Sequence, residues 1–330
     1  MLTTLRTLRP LRTLRTLRTV GALALAALAA APLLASPATA AGPVEIKPAQ
    51  LSRGADPATP YVSGGEVVDG DRRVDVPGRS ASVLGRSGGG YVVVSLVGDT
   101  WTTSRVGTGP AATIVEGPLP EQVTLSGDGG GVLVTSFLQR RTAIDYYVAG
   151  TGDLVRHGLF ARFPRVLDAE GDRVVVGGPD GGYLWNVRTN RRTLVDSGIV
   201  YAADISSNRL ASFDKDPYDG GCSQVSQLRS PRELLWASCR EAVRAFAPDG
   251  DRIVTQHKLT DGLGAGRLWE RTLEGRLLAS YTVGSHVGGV TWEDDTHLLL
   301  DAYGTRRWAV VRCSQGSCER ASAVRRTPGY

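Results

Sequence analysis

Four groups of residues in this chain have the types and spacing that chemistry would need. Gly85-Arg86-Ser87-Gly88-Gly89 matches the G-x-S-x-G nucleophile elbow, in which a strained strand-to-helix turn lifts a serine to the top of an α/β sheet. Here Ser87 sits in a turn between short apolar strands, and that turn recurs five more times without the serine. No α/β domain exists to receive the elbow, so no catalytic residue is assigned. Asp214, Asp216 and Asp219 look like a calcium loop, but the position twelve residues in, where a glutamate should close it, is Val225. The stretch reads as a solvated loop, and neither a metal nor a cofactor is expected. His157, His257, His286 and His297 form no H-x-H or H-E-x-x-H pair and read as surface or turn residues.

The four cysteines, Cys222, Cys239, Cys313 and Cys318, lack the C-x-x-C spacing of zinc sites. Cys313 and Cys318 are symmetric about Gln315-Gly316, and Cys222 and Cys239 are symmetric about Ser230-Pro231. On two hairpins these would be directly opposed pairs, where Cα atoms approach to ~4.5 Å, within reach of a disulfide. The expectation is two structural bridges, Cys222–Cys239 and Cys313–Cys318.

The elements that must position these residues repeat. Val92-Val93-Val94, Val132-Leu133-Val134, Val174-Val175-Val176, Leu210-Ala211-Ser212, Ile253-Val254-Thr255 and Leu298-Leu299-Leu300 recur at a spacing of about 41 residues. Each follows a turn rich in Gly, Asp or Asn, residues that accept the positive φ of a tight two-strand connection. Two more short strands follow in each unit. Third strands include Trp101–Val106 and Arg307–Cys313, and fourth strands include Leu154–Arg156 and Leu277–Tyr281. Trp185, Trp269 and Trp308 fall in the same third-strand region and read as filler between units. Four strands per unit with no helical apolar period predict an all-β fold, a β-propeller of six full four-stranded blades. The segment Tyr61–Val76 adds one hairpin turning at Asp69-Gly70-Asp71, an incomplete seventh blade, with Val44–Lys47 as a candidate further strand. The predicted organisation is a signal over residues 1–40, an extended lead-in over 41–60, one propeller domain over 61–323 and a tail over 324–330.

Phe246-Ala247-Pro248-Asp249-Gly250 resembles the F-S-P-D-G repeat of TolB-like and WD40-like propellers, and Leu125–Gly129 and Leu167–Gly171 keep the most of it elsewhere. The Gly-His and Trp-Asp marks of true WD40 units are missing, so the resemblance is to the exported bacterial, TolB-like branch, over most of residues 80–323. It implies a propeller fold and a non-catalytic binding or scaffolding role.

The first forty residues read differently. Arg6, Arg9, Arg12, Arg15 and Arg18 precede the apolar run Val20–Leu34 and the A-x-A site Ala38-Thr39-Ala40, the plan of a cleaved secretory signal. The run is short for a membrane span, which needs roughly 20 apolar residues, and it contains Pro32. The expected destination is extracellular, by the Sec route, with no stable membrane insertion. The whole chain has 38 Lys and Arg against 33 Asp and Glu, and losing the five signal arginines balances them. No basic face points to nucleic acid.

In a propeller the connections from second to third strand share one face with those from fourth strand to the next blade, and function concentrates in such loops. Most second-to-third connections are short, such as Val97–Thr100, but two neighbouring ones are long. Phe213–Gly221 carries Asp214, Lys215, Asp216, Tyr218 and Asp219, and His257–Gly266 carries His257, Lys258 and Asp261. They are expected side by side, as a rim for an unknown protein or small ligand. The leading expectation is a secreted, monomeric, non-catalytic binding module; the alternative is an exported hydrolase or lyase acting on carbohydrate or peptide.

Overall fold

A computed structural model describes residues 42–327. The expected signal over residues 1–40 lies outside the described residues. Among the described residues every regular element is a strand, and no helix is long and apolar enough to cross a membrane.

The strands group into seven blades. After β1 (Val44–Ile46), blade 1 holds β2 (Tyr61–Ser63), β3 (Glu66–Asp69) and β4 (Arg72–Asp75). Blade 2 holds β5 (Arg79–Ser87), β6 (Gly90–Val97), β7 (Thr100–Val106) and β8 (Ala112–Gly117). Blade 3 holds β9 (Gln122–Leu125), β10 (Gly131–Leu138), β11 (Arg141–Val148) and β12 (Leu154–Ala161). Blade 4 holds β13 (Arg165–Glu170), β14 (Arg173–Gly178), β15 (Gly181–Asn186) and β16 (Arg191–Asp196). Blade 5 holds β17 (Ile199–Asp204), β18 (Arg209–Phe213), β19 (Ser223–Gln227) and β20 (Ser230–Ser238). Blade 6 holds β21 (Glu241–Phe246), β22 (Arg252–His257), β23 (Ala265–Thr272) and the first half of β24 (Leu277–Trp292). The second half of β24 opens blade 7, with β25 (Leu298–Tyr303), β26 (Arg307–Ser314) and β27 (Ser317–Arg320); β28 (Arg325–Arg326) also pairs with β26. Neighbours within every blade are antiparallel. The first strands of successive blades lie against one another, from β2 on β5 round to β21 on β24. This is a β-propeller with six four-stranded blades and a three-stranded first one.

The uninterrupted apolar triplets have a simple cause. In a strand, successive side chains face opposite ways, and the second strand of each blade is buried on both faces. Val93 enters the core between blades 1 and 2, while Val92 enters the one between blades 2 and 3. Leu133 and Val132 divide likewise, as do Val174 and Val175, and Ile253 and Val254. Six apolar clusters thus fill the six interfaces from 1/2 to 6/7. Trp185 is such a filler, edge-on to Phe160 at 5.3 Å in the core between blades 3 and 4.

The structure departs from expectation in several places. Tyr61–Val76 makes two hairpins rather than one: Gly64 and Gly65, both at positive φ, add a turn between β2 and β3. Trp185, Trp269 and Trp308 do not share a depth, since they pair with Val174, Thr255 and Tyr303 at different points along their second strands. The hairpin carrying Cys222 and Cys239 turns at Leu228-Arg229, not Ser230-Pro231; two register shifts in β20 restore the pairing before Ser223 meets Ser238. His286 is buried rather than exposed, stacked on Tyr303 at 4.5 Å, and Tyr303 stacks in turn on Trp308.

The lead-in is a strap. β1 adds in parallel to the outer edge of blade 6, Val44 opposite Tyr281 and Ile46 opposite Val283, with Ile46 buried in the 6/7 core. Further on, Arg53 forms a parallel bridge to Arg320 of β27, and the Gly54 amide donates to the Arg320 carbonyl. Arg312 lies between Glu293 and Glu319 and donates to the carbonyls of Ala55 and Asp56. Ala58 is held on both sides, its amide by Glu293 and its carbonyl by Arg86. Burial works against the charge on Glu293, but Arg312 and the Ala58 amide hold its carboxyl below the usual range.

Candidate functional site

Antiparallel pairing puts the second-to-third and fourth-to-first connections at one end of every blade. At this end β18 runs out at Phe213 and the chain loops through residues 214–222 before β19. The backbone is tied tightly: the Asp214 carboxylate accepts the Cys222 amide at 2.7 Å, and Asp216 accepts the Tyr218 amide at 2.8 Å. The Asp216 carbonyl accepts the amides of Asp219 and Gly221. The Cys222–Cys239 disulfide anchors the C-terminal end of the loop to the end of β20, with Cα atoms 4.0 Å apart. These aspartates therefore organise the loop itself. Among the described residues no group of three or more His, Cys, Asp or Glu is placed to hold a metal ion.

In blade 6, β22 extends through His257 and β23 begins at Ala265, so the facing loop is residues 258–264. It meets its neighbour at two points. The Tyr218 hydroxyl donates to the Asp261 carboxylate at 3.2 Å, and the Lys258 ammonium donates to the Gly221 carbonyl at 2.6 Å. The Asp261 contact raises the Tyr218 phenol above its ordinary value. His257 accepts the Leu259 amide at 3.3 Å. Lys215 and Asp219 lie exposed on the same loop. The two loops are thus in direct contact, forming one continuous rim.

The same end of the molecule carries exposed apolar residues, most of which the sequence reading did not single out. Tyr218, Leu259 and Leu263 crown blades 5 and 6, while Val97, Leu119, Leu138 and Phe163 crown blades 2 and 3. All are more than a third exposed, and Leu119 is 63% exposed. Phe163 packs edge-on to Phe137 at 5.5 Å, with the Arg165 guanidinium over the Phe137 ring. The ion pairs Arg162–Asp180 and Arg165–Glu121 stand among them. Among the described residues, the connections at the opposite end carry no exposed large apolar residue; Leu154 and Leu277 begin outermost strands beside them, and others, such as Leu194 and Leu234, lie farther along outermost strands. Part of the signal for this face was present in the sequence, as an apolar residue at four short connections of blades 2 and 3, but it shows only when blades are aligned.

Elsewhere the candidates are structural. Ser87 is buried, and its hydroxyl donates to the Gly129 carbonyl at 2.7 Å, tying blade 2 to blade 3. Cys313 and Cys318 are bonded across the outer hairpin of blade 7, Cα atoms 4.2 Å apart, with Gln315 and Gly316 both at positive φ in the turn. His157 and His297 contact Asp145 and Asp294, respectively.

No family model matches the chain, and no curated protein is similar to it in sequence. Among solved structures, it is similar to the β-propeller domain of the Trilobed protease from Pyrococcus furiosus, which has an open velcro topology. The identity is 12%, the TM-score is 0.55, and the match covers 83% of this chain and 96% of that one. An uncharacterized protein from Listeria monocytogenes EGD-e matches at 13% identity and TM-score 0.48, over 74% of this chain and 81% of that one. TolB from Acinetobacter baumannii matches at 14% identity and TM-score 0.45, over 66% and 57%. At these identities the likeness is one of architecture, and that architecture is the β-propeller.

Proposed function

We propose that the protein is an exported, non-catalytic binding module that engages a protein partner through its loop face. The observation that carries this reading is the one-sided distribution of exposed apolar side chains. Scattered surface apolar residues need no explanation, but seven at or beside the connections of one end of a toroid against two, Leu154 and Leu277, beside those of the other mark an interaction surface. A rim of Tyr, Leu and Phe with interspersed charges has the composition of a protein interface. Export is supported by the two disulfides, which persist in oxidising compartments, and by the basic, apolar and A-x-A series at the start of the chain.

Pull-down from the extracellular fraction of the source cells would use three proteins. One is the natural chain, one replaces 214–221 and 258–264 by Asn-Gly turns, and one carries Leu119→Ser, Leu138→Ser and Phe163→Ser. The expected outcome is a partner held by the first and lost by at least one of the others, with unfolding midpoints within a few degrees. A partner retained equally by all three would place the binding surface elsewhere.

A further inference from the structure

Seven blades have seven interfaces, yet among the described residues only six hold an apolar cluster. Between blade 7 and blade 1 the structure leaves a cavity of about 900 Å³ that runs in against β5 and β9, within the ~300–1,000 Å³ of small-molecule sites. The register shows why. Leu298 and Leu300 enter the 6/7 core, so Leu299 faces blade 1, together with Thr291, Asp301, Val310 and Trp308, which pair across β24, β25 and β26 on that face. By the rule obeyed at every other interface these should meet an apolar sheet. They meet the cavity, with Tyr61 and Val62 across it.

Its chemistry is specific. Leu299, Val310, Trp308 and Tyr61 make an apolar and aromatic wall. Asp301 is half-buried in it, and accepts the Gly289 amide. The bulge Gly288-Gly289 clears the space, since a Cβ on Gly289 would lie 2.4 Å from the Asp301 carboxylate. Among the described residues no cation pairs with Asp301: the nearby Arg86 is committed to Asp69 and Ala58. Burial accordingly holds the Asp301 carboxyl above its ordinary range. A cation entering the cavity would relieve that cost, and its apolar body would pack against Leu299, Val310 and Tyr61 beside Trp308, whose ring already stacks on Tyr303 and carries the Arg325 guanidinium.

We infer that the blade 7–blade 1 cavity is a binding site for an amphipathic organic cation, an ammonium or guanidinium on an aromatic or aliphatic body, with Asp301 as counter-ion and Trp308 and Tyr61 as the wall. This site is independent of the loop face.

The test uses 2-phenylethylamine and its neutral counterpart 2-phenylethanol, titrated into the protein by calorimetry and by tryptophan fluorescence. The amine should bind at least about tenfold more tightly than the alcohol. Asp301→Asn should erase the preference, and Trp308→Phe should remove the fluorescence change. If Asp301→Asn does not fold, the natural protein still decides: amine affinity should fall as pH drops through the carboxyl titration, while alcohol affinity stays level. Absence of binding, equal binding of both probes, a pH-independent preference, or saturable binding of cellobiose without preference for the amine would each overturn the assignment.

Discussion

Single residues in this propeller are governed by which interface they enter. Asp168 on β13 is the clearest case. Burial between blades pushes its carboxyl up to about 6 from an ordinary 3.8, against the lowering effect of the Ile205 amide that it accepts at 2.6 Å. The folded state therefore holds a proton that the unfolded chain has lost, and its contribution is complete below about pH 4 and gone above about pH 6. Asp168→Asn keeps the acceptor oxygen and removes the titration. Urea unfolding at pH 4, 5, 6 and 7 should show the variant drawing ahead of the natural protein by up to about 3 kcal/mol across that window. Parallel stability curves would mean that Asp168 is ionised without penalty. Sequence reading sees Asp168 only as part of a degenerate turn motif, Leu167–Gly171. Its burial follows from a neighbouring blade that local pattern does not describe, and the same is true of His286 and Asp301.

At the scale of elements, most of the structure was readable. Triplets flanked by turn residues located the second strands of the six four-stranded blades, because a strand buried on both faces has no polar alternation to confuse it. Irregular strands were harder. The two bulges of β20 displaced the apparent turn to Ser230-Pro231, although the cysteine symmetry survived because the register recovers before Cys222 and Cys239. Those bridges have different work to do. Loop-closure entropy gives about 2 kcal/mol for Cys313–Cys318 and about 3 kcal/mol for Cys222–Cys239. Only the second anchors one end of a long exposed loop. Replacing Cys222 and Cys239 by serine should raise amide exchange through residues 214–221, and replacing Cys313 and Cys318 should leave that loop unchanged. Equal exchange in both variants would separate the disulfide from the order of the rim.

At the scale of the molecule, the repeat spacing foretold the number of blades but not how the circle is completed. Among the described residues no blade draws its own four strands from both ends; closure falls to the strap, whose β1 adds to the outer edge of blade 6, and to Arg312 with its two carboxylates. A guanidinium held by two carboxylates and by strap carbonyls, from three different segments, leaves no local pattern, which is why the lead-in read only as extended chain. Ile46→Ala should cost about 2–4 kcal/mol, as for other buried isoleucines. Removing residues 42–56 should speed exchange in β26 and β27 while blades 2 to 4 remain protected; uniform loss of protection would show that the ring melts as one unit. The strap also sets an order of assembly. Each blade is local in sequence and can form as its own forty residues leave the ribosome, a fast, short-range process. β1 is made first yet has no partner until Tyr281–Val283 exist. The earliest described strand to be synthesised thus waits for the sixth blade, and until it docks the final two blades are unlatched, however complete the others are.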